Sequence, residues 1–110
     1  SNPDAFGFFG YSYLVANKDK IKASSINGVQ PSLEGIQDYS YPIARPLFFY
    51  VKKAHIGVIP GIQEYMKEFT SKKSMGSRGY LAEIGLVPLA ADKYKVTRTA
   101  AVDLNTIKIK

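Results

Sequence analysis

The segment Tyr41-Pro42-Ile43-Ala44-Arg45-Pro46-Leu47-Phe48-Phe49-Tyr50-Val51 constrains the fold of this chain more than any other. Pro42 and Pro46 each fix their own φ and drive the preceding residue towards extended geometry. The pair therefore predicts a stiff extended connector that carries one arginine, Arg45. Leu47 to Val51 then has the length and the aromatic and β-branched content of a strand buried on both faces. A strand of that kind needs a sheet covered by helices, so the chain reads as an α/β globular domain with a rigid crossing.

The bulk composition admits such a domain and excludes several others. At 110 residues the chain fits one ordinary domain and has the length to bury well over half of its unfolded surface. Hydrophobic content of 45% and charged content of 22% are those of a globular protein. No apolar run approaches the roughly 20 residues that span a bilayer, and Ser1-Asn2-Pro3-Asp4 does not begin a signal peptide. The absence of cysteine excludes a disulfide scaffold, thiolate catalysis and cysteine-ligated metal, and fits any compartment. The formal charge of +6 raises the question of nucleic acid. The lysines, however, are dispersed, from Lys18, Lys20 and Lys22 through Lys52-Lys53 and Lys72-Lys73 to Lys108 and Lys110. The aromatics sit among apolar neighbours rather than between arginines. No nucleic-acid partner is expected.

Along the chain, Ala5 to Phe9 reads as a short strand behind the turn signal Asn2-Pro3-Asp4. Gly10 to Lys18 reads as a short helix through Tyr13, Leu14 and Ala16. Lys20 to Ile26 alternates like a strand and ends at the turn dipeptide Asn27-Gly28. Ser32 is placed to cap a helix bearing Leu33, Ile36 and Tyr39. After the connector and its strand, Lys53 to Gly57 is a loop with the sole histidine, His55. Pro60 stands in the first turn of a helix with Ile62, Tyr65, Met66 and Phe69 inward and Glu64 and Glu68 outward. That helix is expected to stop near Ser71, with Lys72 and Lys73 facing its dipole. A further helix from Ser77 carries Tyr80, Leu81 and Ile84 and stops at Gly85. Leu86 to Leu89 is an extended apolar link, Ala90 to Val102 is helix-compatible, and Thr106 to Lys110 alternates like a frayed strand.

The catalytic inventory is thin. One histidine cannot build a multi-histidine metal site, and a base with no nucleophile or orienting partner defines no mechanism. Glu64 and Glu68 suit a solvated helix face better than an acid/base pair. Nucleotide-binding glycine loops and the serine-hydrolase elbow are missing. No enzyme, metal or cofactor is expected. Ser74-Met75-Gly76-Ser77-Arg78-Gly79 is the one stretch resembling an anion cradle, with glycines, serines and an arginine ahead of a helix. The simpler reading, adopted here, makes Gly76 a turn and Ser77 a helix cap. Arg45 has two readings: a partly buried guanidinium tying two structural units together, or an exposed side chain on a loop.

These pieces in this order resemble the C-terminal part of the periplasmic phosphate-binding proteins of ABC-type phosphate transporters. Four stretches carry the resemblance. The first, Asn2-Pro3-Asp4-Ala5-Phe6-Gly7-Phe8-Phe9-Gly10-Tyr11-Ser12-Tyr13, is similar to that family's strand and tyrosine-rich helix. Lys22 to Ser32 is similar to its strand, turn and helix start. Tyr41 to Val51 is the most specific match. Ile62 to Phe69, with Gly79-Tyr80 to Leu89, is similar to its closing helices and their Gly-Leu-Val-Pro-Leu link.

The resemblance implies an α/β chain forming part of a two-lobed periplasmic-binding-protein (type II) fold. Its incomplete sheet would be completed by a missing segment or by another chain. Residues 1–45 would come from the second lobe and end in a hinge crossing, and residues 46–110 would return to the first lobe. Tyr41, Pro42, Arg45 and Pro46 would then form the crossing, with Arg45 bridging the lobes rather than holding ligand. It further implies capture of inorganic phosphate for ABC permease membrane subunits in a periplasmic or extracytoplasmic location. The family's phosphate ligands lie upstream, so no residue of this chain is expected to ligate phosphate. Competing expectations are an interaction or structural module of the same architecture without phosphate binding and, behind it, a small basic nucleic-acid-binding protein.

Overall fold

The computed structural model describes residues 2–107, and helices are its regular elements. Helix α1 spans Tyr11–Ala16, α2 Leu33–Gln37, α3 Ile62–Phe69, α4 Lys72–Met75, α5 Tyr80–Glu83 and α6 Ala91–Val102, with a 3₁₀ turn at Lys53–His55. α3 packs against α4 and α6, and α4 against α5, so the C-terminal half holds most of the helix packing.

Local signals placed the helix boundaries where side chain and backbone meet directly. The Ser32 hydroxyl accepts from the Gly35 N–H at 2.9 Å, capping α2 as its sequence position predicts. Ile26 and Val29 exchange both N–H···O bonds, at 2.9 and 3.0 Å, around Asn27 and Gly28. Both turn residues have positive φ, the type I′ geometry that an Asn-Gly pair favours. α5 ends in a Schellman motif: Leu86 N–H donates to Leu81 O and Gly85 N–H to Ala82 O, with Gly85 at φ +94°. Ser77 does not cap α5; Gly79 occupies that position and Tyr80 is the first helical residue. Pro60 lies just ahead of α3 rather than inside its first turn, because Gly61 is the N-cap.

The expected strands do not form. Among the described residues there is no strand, and the isolated bridges Ile26↔Val29 and Ile56↔Ile59 are the β pairing present. Ala5–Phe9, Lys20–Ser25 and Leu47–Val51 run without helical or ladder structure. Leu47 to Val51 is also not buried: Leu47 is 81% and Phe48 70% exposed, and Phe8 in the first segment reaches 85%. A buried strand requires a neighbour on each edge and a covered face, and this chain supplies neither to these segments. Thr106 and Ile107 form no strand; Lys108 to Lys110, the rest of that expected tail strand, lie outside the described residues.

The core is correspondingly small. Among the described residues Ala44 and Met66 are the buried apolar side chains, and 8948 Å² of surface stays accessible. A compact chain of this mass would expose about 6,000 Å² and its unfolded form about 18,000 Å². About half of the unfolded surface is therefore covered, short of the larger fraction that length alone predicts. The Cα radius of gyration is 17.1 Å, against about 13 Å for a compact chain of this length.

Candidate functional site

The proline-flanked crossing is folded back on itself where the sequence predicts extension. Ala44 N–H donates to Tyr41 O at 2.9 Å, closing a turn over Pro42 and Ile43. Pro42 is well suited to such a turn because its fixed φ presets the first central position. Tyr41 N–H donates to Gly35 O at 2.8 Å, and the Tyr41 hydroxyl donates to Ser24 O at 3.3 Å. Tyr41 is thus tied to α2 and to the segment before the Asn27-Gly28 turn. Tyr41 and Pro42 are half-buried, Ala44 is buried, and Arg45 and Pro46 are exposed. The Arg45 Nη1 donates to the carbonyls of Ala44 and Pro42 at 2.7 and 3.0 Å, so within this chain its bonds are local. Among the described residues the Arg45 guanidinium bonds only to carbonyls of its own segment.

Contacts distant in sequence flank the crossing. The Gln37 Nε2 donates to Pro88 O at 2.8 Å, and the Lys93 ammonium sits 4.7 Å from the centroid of the Tyr39 ring. Tyr39 holds φ +65°, a left-handed backbone that places its ring there. Between them, Asp38 Oδ1 accepts from the Ser40 N–H at 2.8 Å. That backbone bond is the main reason its carboxyl lies below the usual carboxylate value. The Ser40 hydroxyl acts in the same direction, weak burial opposes both, and the Lys93 charge contributes last.

Beyond the crossing, an open apolar groove of about 390 Å³ is lined by residues including Phe49, Val51, Pro60, Ile62 and Tyr65. Phe49 stacks obliquely on Tyr65 and Phe69, with ring centroids 5.5 and 4.9 Å away. Leu47, Phe48 and Tyr50 continue this apolar surface into solvent.

No catalytic arrangement emerges. His55 is exposed at the end of the 3₁₀ turn, and Glu64 and Glu68 are exposed on α3. Among the described residues no group of histidine, aspartate and glutamate side chains could hold a metal ion. In the Ser74–Gly79 stretch, Ser74 is fully buried inside α4 and cannot meet an anion. Gly76 and Gly79 are glycines for packing reasons, since a Cβ would collide with the carbonyls of Lys72 and Ser74 respectively.

Sequence reasoning missed one polar junction. The last carbonyls of α3 are met by α6: Tyr94 Oη and Arg98 Nη1 donate to Thr70 O at 2.9 and 2.7 Å, and Arg98 Nη1 also reaches Lys67 O at 3.3 Å. The cation serving that helix end is therefore Arg98, whereas Lys72 and Lys73 begin the next helix, α4. Only the even spacing of Tyr94 and Arg98 on one helix face hinted at a shared target.

Comparison with known proteins gives a consistent picture. The family model described as a PBP superfamily domain matches residues 2–73. Phosphate-binding protein PstS of Staphylococcus aureus (strain USA300) is 36% identical over 88 residues, covering 74% of this chain and 27% of the relative. The same protein of strain MRSA252 gives the same values, and that of strain bovine RF122 / ET3-1 is 34% identical over the same span. The chain thus spans about a quarter of the length of the curated relatives it matches. No solved structure gives a significant match.

Proposed function

The chain belongs to the PBP superfamily, and from that premise we propose that it is the C-terminal part of a solute-binding protein that captures inorganic phosphate for an ABC transporter. The observation that carries this reading is the 36% identity to a phosphate-binding protein over 74% of the chain. The relatives are binding proteins by name, which supports a binding rather than an enzymatic role. The working location is periplasmic or extracytoplasmic, where a receptor meets its solute and the permease membrane subunits. Among the described residues no helix is long and apolar enough to cross a membrane.

In this reading residues 1–45 belong to the second lobe and residues 46–110 to the first, with Tyr41, Pro42, Arg45 and Pro46 at the crossing. The Tyr41 hydrogen bonds and the half-buried Pro42 favour a crossing anchored at its start and free at its end. Arg45, now bound to local carbonyls, has donors to spare for the facing lobe. Leu47–Val51 and Ala5–Phe9 are strands awaiting partners, supplied by the upstream part of the same protein or by a second copy exchanging segments. Their high exposure supports this, because a lone domain rarely leaves contiguous aromatic segments in water.

The phosphate ligands lie upstream, so these 110 residues alone hold none of them. Calorimetric titration of inorganic phosphate into the chain alone is expected to show no tight binding. Tight binding by the chain alone would overturn the upstream placement.

A further inference from the structure

Beside the C-terminal end of α3 lies an open groove of about 470 Å³ lined by Lys72, Tyr94, Lys95, Arg98 and Thr99. Its volume falls within the roughly 300–1,000 Å³ of small-molecule sites. Three cations and two hydroxyl-bearing side chains line it, and no carboxylate does. One of those hydroxyls, on Tyr94, is already committed to Thr70 O.

Arg98 is what distinguishes this groove from a patch of surface lysines. Its Nη1 is held by the carbonyls of Thr70 and Lys67, and the side chain is half-buried. Among the described residues its Nε and Nη2 have no hydrogen-bond partner. A guanidinium fixed by one terminal nitrogen presents the remaining Nε–Nη2 edge as a ready planar fork, which an oxyanion accepts bidentately. Because the fork is held before any ligand arrives, little side-chain entropy remains to be lost on binding. The ammonium groups of Lys72 and Lys95 add more positive charge than a single carboxylate would balance. A phosphoryl group, with up to two negative charges and several acceptor oxygens, matches that set.

We propose that this groove binds a phosphoryl group, through the Arg98 fork with Lys72, Lys95 and the Thr99 hydroxyl around it. The proposal does not rest on the receptor reading. Two sources carry the required chemistry: free inorganic phosphate, and the phosphate of an anionic phospholipid headgroup.

The test uses the full 110-residue chain. Inorganic phosphate is titrated at constant ionic strength, with chloride as the comparison, while NMR follows the Arg98 Nε–H and the Thr99 amide. The expected result is a saturable shift of both signals in the millimolar range, weakened about tenfold or more in Lys72→Gln/Lys95→Gln. That double variant changes two exposed side chains, so its far-ultraviolet circular dichroism should match the parent; Arg98→Lys, which keeps charge and loses the fork, should weaken binding as well. In a parallel arm, co-sedimentation with phosphatidylglycerol but not phosphatidylcholine vesicles, lost in the same variants, assigns the headgroup as the source. Phosphate shifts without vesicle binding assign the free ion. Equal shifts with chloride, no response to either probe, or unchanged binding in the folded double variant would each overturn the proposal. Weak binding mapped to Arg98 leaves the receptor reading intact, whereas tight binding mapped elsewhere contradicts that reading and not this one.

Discussion

Ser74 shows how single residues divide between the readable and the unreadable. Its hydroxyl is fully buried and has no hydrogen-bond partner among the described residues. An unsatisfied buried hydroxyl costs about 1–3 kcal/mol. Ser74→Ala should therefore leave the urea-unfolding midpoint unchanged or raise it; a loss exceeding about 1 kcal/mol would mean that the hydroxyl is bonded after all. Ser32→Ala, by contrast, removes a cap made at 2.9 Å and should cost about 1 kcal/mol in the same measurement. Asp38 adds a pH dependence whose sign follows from its lowered pKa. A carboxyl held below its unfolded value contributes stability that is present above the unfolded pKa and lost as pH falls through the folded one. An NMR titration should place the Asp38 midpoint below that of an unstructured aspartate, with the Ser40 amide moving in step, and Asp38→Asn should abolish the Ser40 response. The Ser32 cap was legible because donor and acceptor lie within one turn. Arg98 was not, because its carbonyl partners lie 28 and 31 residues away, and nothing local announces them.

At the scale of elements, helices with local signals were readable and strands were not. α3 carries its apolar stripe, α5 its glycine stop, and Asn27-Gly28 its turn, all within a few residues. A strand's signal states only that a segment suits a sheet; the sheet itself depends on partners elsewhere. Leu47–Val51 has that composition yet lies exposed, and Pro42 sits in a turn rather than an extended run because the Ala44 N–H bonds back to Tyr41 O. Phe48→Asp should therefore change the stability of the chain alone by no more than about 0.5 kcal/mol, as at other exposed positions. The same substitution should block assembly with the upstream part of the protein. Amide hydrogen exchange at residues 47–51 should be fast in the chain alone and slow by orders of magnitude once that part is present.

At the scale of the whole molecule, a thin core, an accessible surface of 8948 Å² and a radius of gyration of 17.1 Å describe a chain whose apolar segments call for a partner. The proposed receptor reading accounts for that shape, since it assigns the sheet partners of these segments to the rest of a longer protein, and the chain spans about a quarter of its relatives' length. The chain in isolation should associate through its exposed apolar segments; a clean monomer by light scattering would count against this account. The most direct test is phosphate calorimetry on the chain reconstituted with the residues encoded upstream of it. The account predicts tight phosphate binding by the reconstituted pair and no tight binding by either piece alone, whereas tight binding by these 110 residues alone, or no tight binding by the pair, would contradict it.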